Sequence, residues 1–371
     1  MFGFNSISFK KIDSVAKMLR LKYLPQALIC IVLLCWLSLM YTGKFSVSTN
    51  NYDPLLDLTA NLTHYPHRHY QCLLRNWMNP NNTPTPKNDL AMDDDIHADI
   101  VRTLFVEDPM FPGGEYGFSE EDLNKEDIYG QLGAPILVDR ILGHKRNGFF
   151  IEAGAVDGLH LSNTLFFETR RNFTGILIEP SSNYTMLRQR NRKVKSLNVC
   201  LSRKPIPEEV TFLDCYDIGG IEGEVKAWTK DFVNTPETTR IKKICLPVHA
   251  ILAAVGNPKV NYFSLDIEGV ELDVLKSIPW DKVDIDIFSI EVYGNGRDPN
   301  DVSVFMRKSG YTKVVSALKG TDDIYVRDDF RSPIFGPDQK PKSMIRRRNF
   351  DLTRMGNTLC KMWFNTNCAS N

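Results

Sequence analysis

The sequence has no C-x-x-C pair, which removes the usual ligand spacing of a zinc ribbon and the redox motif of a thioredoxin-like site. It has no G-x-x-x-x-G-K-[S/T] loop either, so the lysine that reaches phosphates in ATP- and GTP-hydrolysing folds is missing. Net charge is absent as well, because 45 basic side chains balance 45 acidic ones. A neutral chain lacks the positive field that nucleic acid demands, which sets DNA and RNA aside as main partners. What remains is an ordinary globular composition, 43% apolar and 24% charged over 371 residues. That is enough for one large domain with appendages, or two modest ones.

One stretch lacks charge altogether. Residues 24–41 (LPQALICIVLLCWLSLMY) form an apolar run, long enough for a helix crossing a ~30 Å hydrocarbon core. Lys10, Lys11, Lys17, Arg20 and Lys22 precede it, and only Lys44 follows closely. The positive-inside rule makes 1–23 a cytosolic leader and puts the chain beyond the anchor in the lumen or outside. A cleaved signal peptide has a shorter apolar region and a small-residue cleavage site. The bulky residues 39–41 (LMY) and the long basic leader favour a retained anchor. The expectation is a single-pass type II protein of the endoplasmic reticulum, Golgi, endosome or plasma membrane.

Two further features agree with that topology. Sequons at Asn61, Asn81, Asn172 and Asn183 all follow the anchor. Six of the eight cysteines do too, namely Cys72, Cys200, Cys215, Cys245, Cys360 and Cys368. An even set in an oxidising compartment permits disulfides. Cys360 with Cys368 is a plausible local pair, and Cys200 has Cys215 or Cys245 as candidates.

Residues 42–145 read as a lumenal stem, turn-rich at 79–86 (NPNNTPTP), with a helix over 96–105. The cluster His64, His67, His69 and Cys72 matches no metal-site spacing, and Cys72 is expected in a disulfide; no metal site is assigned. The acidic triplet Asp93–Asp95 is shared with sugar-nucleotide-dependent transferases, but reads here as a helix start with Asp95 as cap. From 146 to 330 strand-like and helix-like pieces alternate. Strands are expected at 149–153, 175–179, 195–200, 210–213, 261–266, 285–292, 312–316 and 324–327. Helices are expected at 163–171, 182–191, 248–255, 270–277 and 301–309. Such alternation predicts an α/β, doubly wound, mostly parallel sheet. Residues 217–245 break it and read as an insertion or irregular hairpin; 331–371 is a basic, Cys-containing tail.

The chemistry concentrates at strand ends. Residues 148–158 (GFFIEAGAVDG) give a buried strand, then Glu152, then a loop of small residues. Glu179, Asp266 and Glu291 end three further strands, and Glu268 follows Asp266 closely. Open α/β sheets bind ligands outside the carboxyl ends of their strands. A carboxylate at the end of the second strand can accept both ribose hydroxyls. The loop 154–158 (GAVDG) suits a nucleoside without phosphates, such as S-adenosylmethionine.

Residues 152–158 (EAGAVDG), 178–180 (IEP), 198–202 (NVCLS) and 265–275 (LDIEGVELDVL) resemble the FkbM methyltransferase family over 148–327. Together with the anchor, the blocks FIEAGA, LSNT, FSLDIEG and IPWD are most similar to its membrane-anchored Star group. The resemblance implies a seven-stranded class I S-adenosylmethionine-methyltransferase fold and O-methyl transfer to a sugar-like hydroxyl. It implies cofactor contacts from Glu152, Gly154, Gly158 and Glu179, with Asp266 as base and Glu268 second. Star-type proteins imply another role, assisting transport of EGF-type growth-factor precursors through the secretory pathway.

The chain departs from the family at three places. Glu152 stands where aspartate is frequent, Ser264 where lysine is frequent, and Tyr293 follows the last-strand glutamate where histidine is frequent. The cofactor side is kept better than the acceptor side. The anchor, the topology and these acceptor-side losses favour a methyltransferase-like, non-catalytic cargo-binding module in trafficking; the alternative is an active methyltransferase.

Overall fold

The computed structural model describes residues 65–79, 90–125, 130, 133–226, 233, 235, 238–292, 299–318, 322–336 and 341. All lie in one unit, 52–371. The anchor expected at 24–41, the sequons at Asn61 and Asn81, Tyr293, Cys360 and Cys368 lie outside the described residues. Among the described residues no helix is long and apolar enough to cross a membrane.

In chain order come α1 (Tyr65–Met78), α2 (Leu90–Leu104), α3 (Glu120–Lys125) and α4 (Ala134–Ile141), then β1 (Phe149–Ala153), α5 (Leu165–Arg171), β2 (Thr174–Ile178), α6 (Tyr184–Gln189) and β3 (Lys195–Leu197). They are followed by β4 (Cys200–Leu201), β5 (Glu208–Asp214), β6 (Gly220–Ile221), β7 (Thr239–Leu246), α7 (Val248–Ala254), β8 (Tyr262–Leu265) and α8 (Glu271–Ser277). The last are β9 (Ile287–Glu291), α9 (Pro299–Lys308), β10 (Tyr311–Leu318) and β11 (Asp322–Arg327).

Seven strands form the main sheet in the order β3-β2-β1-β8-β9-β11-β10. The first five are parallel to one another, and β11 runs antiparallel between β9 and β10. This is the doubly wound order with one hairpin strand slipped in near the edge. The order reverses between β1 and β8, which makes their carboxyl ends the switch point.

Strand residues alternate between two cores, as a pleated sheet covered on both faces requires. Ile151, Ile176, Phe263 and Phe288 pack with α2, α7, α8 and α9. Phe150, Leu177, Tyr262 and Ile287 pack with α4, α5 and α6. Each fully buried large apolar side chain contributes roughly 1.5–3 kcal/mol.

Four expectations change. The segment read as a stem contributes Leu74, Ile100, Val101 and Leu104 to the first core, and Arg102 Nε donates to Ala254 O at 2.8 Å. Asp93–Asp95 lie inside α2, which starts at Leu90, so Asp95 is not its cap. The apolar face at 98, 101 and 104 lets the helix run back past the triplet. The stretch 217–245 is no mere insertion: β7 joins a second sheet, order β4-β7-β5-β6. A disulfide ties Cys200 to Cys245, which are register partners across β4 and β7. Cys72, on α1, is exposed and free rather than bridged.

Candidate active site

A cavity of about 370 Å³ opens at the switch point. Glu152, Gly154, Glu179, Asp266 and Glu268 all line it, together with Ser264 and Glu291. Gly158 does not line it; its carbonyl accepts Arg192 Nη1 at 2.5 Å. Val156, Ile178, Pro180, Val199 and Leu201 give one apolar wall, and His160, Leu161 and Tyr216 stand nearby.

The glycine loop is built for close approach. Gly154 has φ +85°, and a Cβ there would lie 1.9 Å from Asp266 O. Only glycine lets the first loop meet the end of β8 so tightly. Asp157 accepts from the N–H of Leu159 and of His160, which turns the loop. Those bonds, with Arg190, hold its carboxyl below the usual range despite burial.

Glu179 and Glu152 do different work. Glu179 is buried, and its carboxylate accepts Val156 N at 2.7 Å and Ser181 N at 2.8 Å. Burial still lifts its carboxyl to about 7. Glu152 accepts Ser162 Oγ, Asn163 N and Thr164 Oγ1 at 2.8, 2.6 and 2.5 Å, so its carboxylate organises the start of α5. Burial pushes its carboxyl up, against the pull of Arg192.

The far end holds the charge. Glu268 has φ +63°, unusual for a residue with a Cβ. Glu271, wholly buried, enforces that turn by accepting Ile267 N at 3.2 Å and Gly269 N at 3.1 Å. Burial pushes the Glu268 carboxyl up to about 7, Asp266 adds to the rise, and Lys226 opposes it. Asp266, Glu271 and Glu291 each offer an oxygen within 4.8 Å of the others, a spacing that would suit a cation.

The cation present is Lys226, which sequence reasoning missed. Its Nζ lies 3.0 Å from Glu268 Oε2 and 3.7 Å from Asp266 Oδ1, and contacts Glu291 Oε2. Burial alone would strip its proton, but Asp266, Glu271 and Glu268 hold the ammonium above its usual pKa. The only signal in the sequence was a lysine within the segment that broke the α/β alternation.

Ser264 joins a polar chain instead of bearing charge. Asn163 Nδ2 donates to Ser264 Oγ at 3.0 Å, and Tyr262 OH and Ser289 Oγ lie 2.8 Å apart beyond it. Of the two described sequons, Asn172 is exposed, with Nδ2 donating to Asn147 Oδ1 at 2.6 Å. Asn183 is buried, and its Nδ2 donates to Tyr216 O at 2.8 Å.

Strand order and strand-end carboxylates define a doubly wound α/β protein with a nucleoside-sized cavity at its switch point. Residues 152–313 match the family described as the Methyltransferase FkbM domain. A comparison with curated proteins finds no match. Among solved structures, the chain is similar to a precorrin-6y C5,15-methyltransferase from Geobacter metallireducens GS-15, at 8% identity and TM-score 0.27, over 53% of this chain and 87% of that one. It is similar to a fibrillarin/Nop5p complex at 12% identity and TM-score 0.29, over 54% and 81%. A SAM-dependent methyltransferase from Aquifex aeolicus is similar at 13% identity and TM-score 0.27, over 56% and 98%. The fold assignment rests on strand order and register.

Proposed function

We propose that this unit is an S-adenosylmethionine-dependent O-methyltransferase domain acting on a glycan or other hydroxyl acceptor. One observation carries the reading: a single cavity joins Glu179 and the glycine loop at one end to Asp266, Glu268 and Glu291 at the other. The residues fit the cofactor. Gly154 lets the loop close onto the end of β8, apolar side chains line the cavity beside it, and the volume suits a ligand of that size. Glu179 would hold the ribose hydroxyls, and Gly154 and Val156 the adjoining part of the nucleoside.

When bound, S-adenosylmethionine supplies an activated methyl group to a nucleophilic oxygen. Everything else falls to the chain. Asp266, with its side chain 26% exposed, is the carboxylate best placed to take the acceptor's proton. Glu268 and Glu291 are more deeply buried beside it and shape the field there.

Glu179→Ala is expected to weaken S-adenosylmethionine binding by roughly 10–100-fold, the loss of a charged hydrogen-bond acceptor. Calorimetry on the full-length chain reads this. Glu179 titrates near 7, and its ionised form accepts both hydroxyls, so affinity rises as pH passes upward through 7. Glu179→Gln flattens that rise. Undetectable binding by the unaltered protein would end the enzyme reading.

The second reading is the Star-type one: a type II membrane protein whose lumenal domain assists export of EGF-type precursors. The Cys200–Cys245 bond favours the compartment that both readings share, since such bonds persist in oxidising lumens. Exposed Asn172 is then expected to carry a glycan and buried Asn183 none, read by glycosidase shift of Asn172→Gln against Asn183→Gln. A protein that binds no S-adenosylmethionine yet co-precipitates with an EGF-type precursor would favour this second role.

A further inference from the structure

Lys226 reaches the carboxylates because the chain is pressed there. A Cβ on Gly269 would lie 2.4 Å from Glu224 O, and one on Gly220 would lie 2.7 Å from Val225 Cγ1 and 3.4 Å from Glu268 O. Arg203 holds Glu224 at 3.0 Å. Main chain just before Lys226 is therefore packed against the loop after β8. Its ammonium has no exposure to solvent. A lysine that merely filled space would be costly, because a buried charge is retained only where charge and hydrogen bonds compensate it. Four carboxyl groups face it: Asp266 and Glu268 from the loop after β8, Glu271 from the start of α8, and Glu291 from the end of β9.

We propose that Lys226, carried by the connection between β6 and β7, is a positioning residue that keeps the acceptor-end carboxylates charged and apart, so that one of them can take a proton. This rests on reading the cavity as a methyl-transfer site. Carboxylates this close cannot all ionise unaided, as like charges at short range force a proton onto one of them. With the ammonium removed, the cluster takes up protons at neutral pH and the acceptor end loses its base. The second sheet, which already lends Leu201 and Phe212 to the cavity wall, thereby brings a charge to the acceptor end as well.

The test uses the full-length chain with ¹³C-labelled side-chain carboxyls, followed by NMR across pH. In Lys226→Met the titration midpoint of Glu268 is expected to rise by about one to three pH units, the effect of losing an opposite charge at this range. The acid limb of the methyl-transfer rate moves up with it, while Lys226→Arg keeps both near their original values. Should Lys226→Met fail to fold, the charge-balanced double variant Lys226→Met with Glu291→Gln is used. It is expected to fold and to return the Glu268 midpoint toward that of the unaltered protein.

An unmoved midpoint in a folded Lys226→Met protein overturns the proposal, as does a double variant that fails to restore it. So does Lys226→Arg shifting as methionine does. These results are separable from the reading beneath them. A protein that binds no S-adenosylmethionine sinks methyl transfer whatever the midpoints do, and an unmoved midpoint sinks Lys226 alone.

Discussion

Arg192→Met is expected to lower folding stability by about 3–5 kcal/mol, the cost of breaking a buried ion pair from one side. Arg192 is 2% exposed, and its Nε donates to Glu168 Oε2 at 2.6 Å. Its other nitrogens donate to Gly158 O, Ser162 Oγ and Thr164 Oγ1 at 2.5, 3.2 and 3.2 Å. One guanidinium thus clasps the glycine loop, the start of α5 and a buried glutamate. Without it Glu168 keeps the N–H of Lys193 at 2.7 Å but no cation, and Glu152 loses the positive charge that opposes its burial. Urea unfolding reads the loss as a lower midpoint at constant slope. The double variant Arg192→Met with Glu168→Leu is expected to recover part of it, because Glu168 is then no longer a buried charge without its partner, while Glu152 still lacks the arginine. A single-variant loss under 1 kcal/mol would mean that solvent reaches Glu168 in place of the arginine.

That clasp explains why the cavity was only half legible in the sequence. Glu179, Asp266 and Glu291 could be placed because each ends a short apolar run, and a parallel sheet aligns strand ends at one edge. Strand and helix periodicity carried the main sheet the same way. The expected strands at 149–153 and 324–327 correspond to β1 (Phe149–Ala153) and to the end of β11 (Asp322–Arg327).

What could not be placed was anything fixed by distant packing. Glu152 looks like Glu179 in sequence, yet its oxygens meet hydroxyls and an N–H from residues 162–164. Glu271 looks like one more exposed helix-start acid, yet it is wholly buried and turns the loop of Glu268. Lys226 is the sharpest case. Ser264 suggested that a cation had been lost near the acceptor, whereas an ammonium arrives from a segment about forty residues earlier. No periodicity encodes that contact. It depends on β5 and β7 pairing antiparallel and delivering the segment before β7 over the switch point. The serine at 264 therefore does not mean that the acceptor end lacks a cation.

Removing the Cys200–Cys245 bond is the other large effect to expect. Cross-linking residues 45 apart restricts the unfolded chain, by about 4 kcal/mol on the loop-entropy relation. Cys200→Ala with Cys245→Ala is expected to lose about 2–4 kcal/mol in urea unfolding. It should also weaken S-adenosylmethionine binding, because Cys200 lies between Val199 and Leu201 on the cavity wall. Both cysteines are buried, so alanine leaves a small void rather than an unmet polar group. The bond joins β4, which continues the chain from the main sheet, to β7, which leads on from the segment bearing Lys226. Its loss should therefore also raise the Glu268 midpoint, in the same direction as Lys226→Met though by less. Protein made in a reducing cytosol is expected to match the double alanine variant, and protein made in the secretory pathway to match the bridged form. Equal stability and equal affinity from both sources would show that strand pairing alone holds the second sheet against the site.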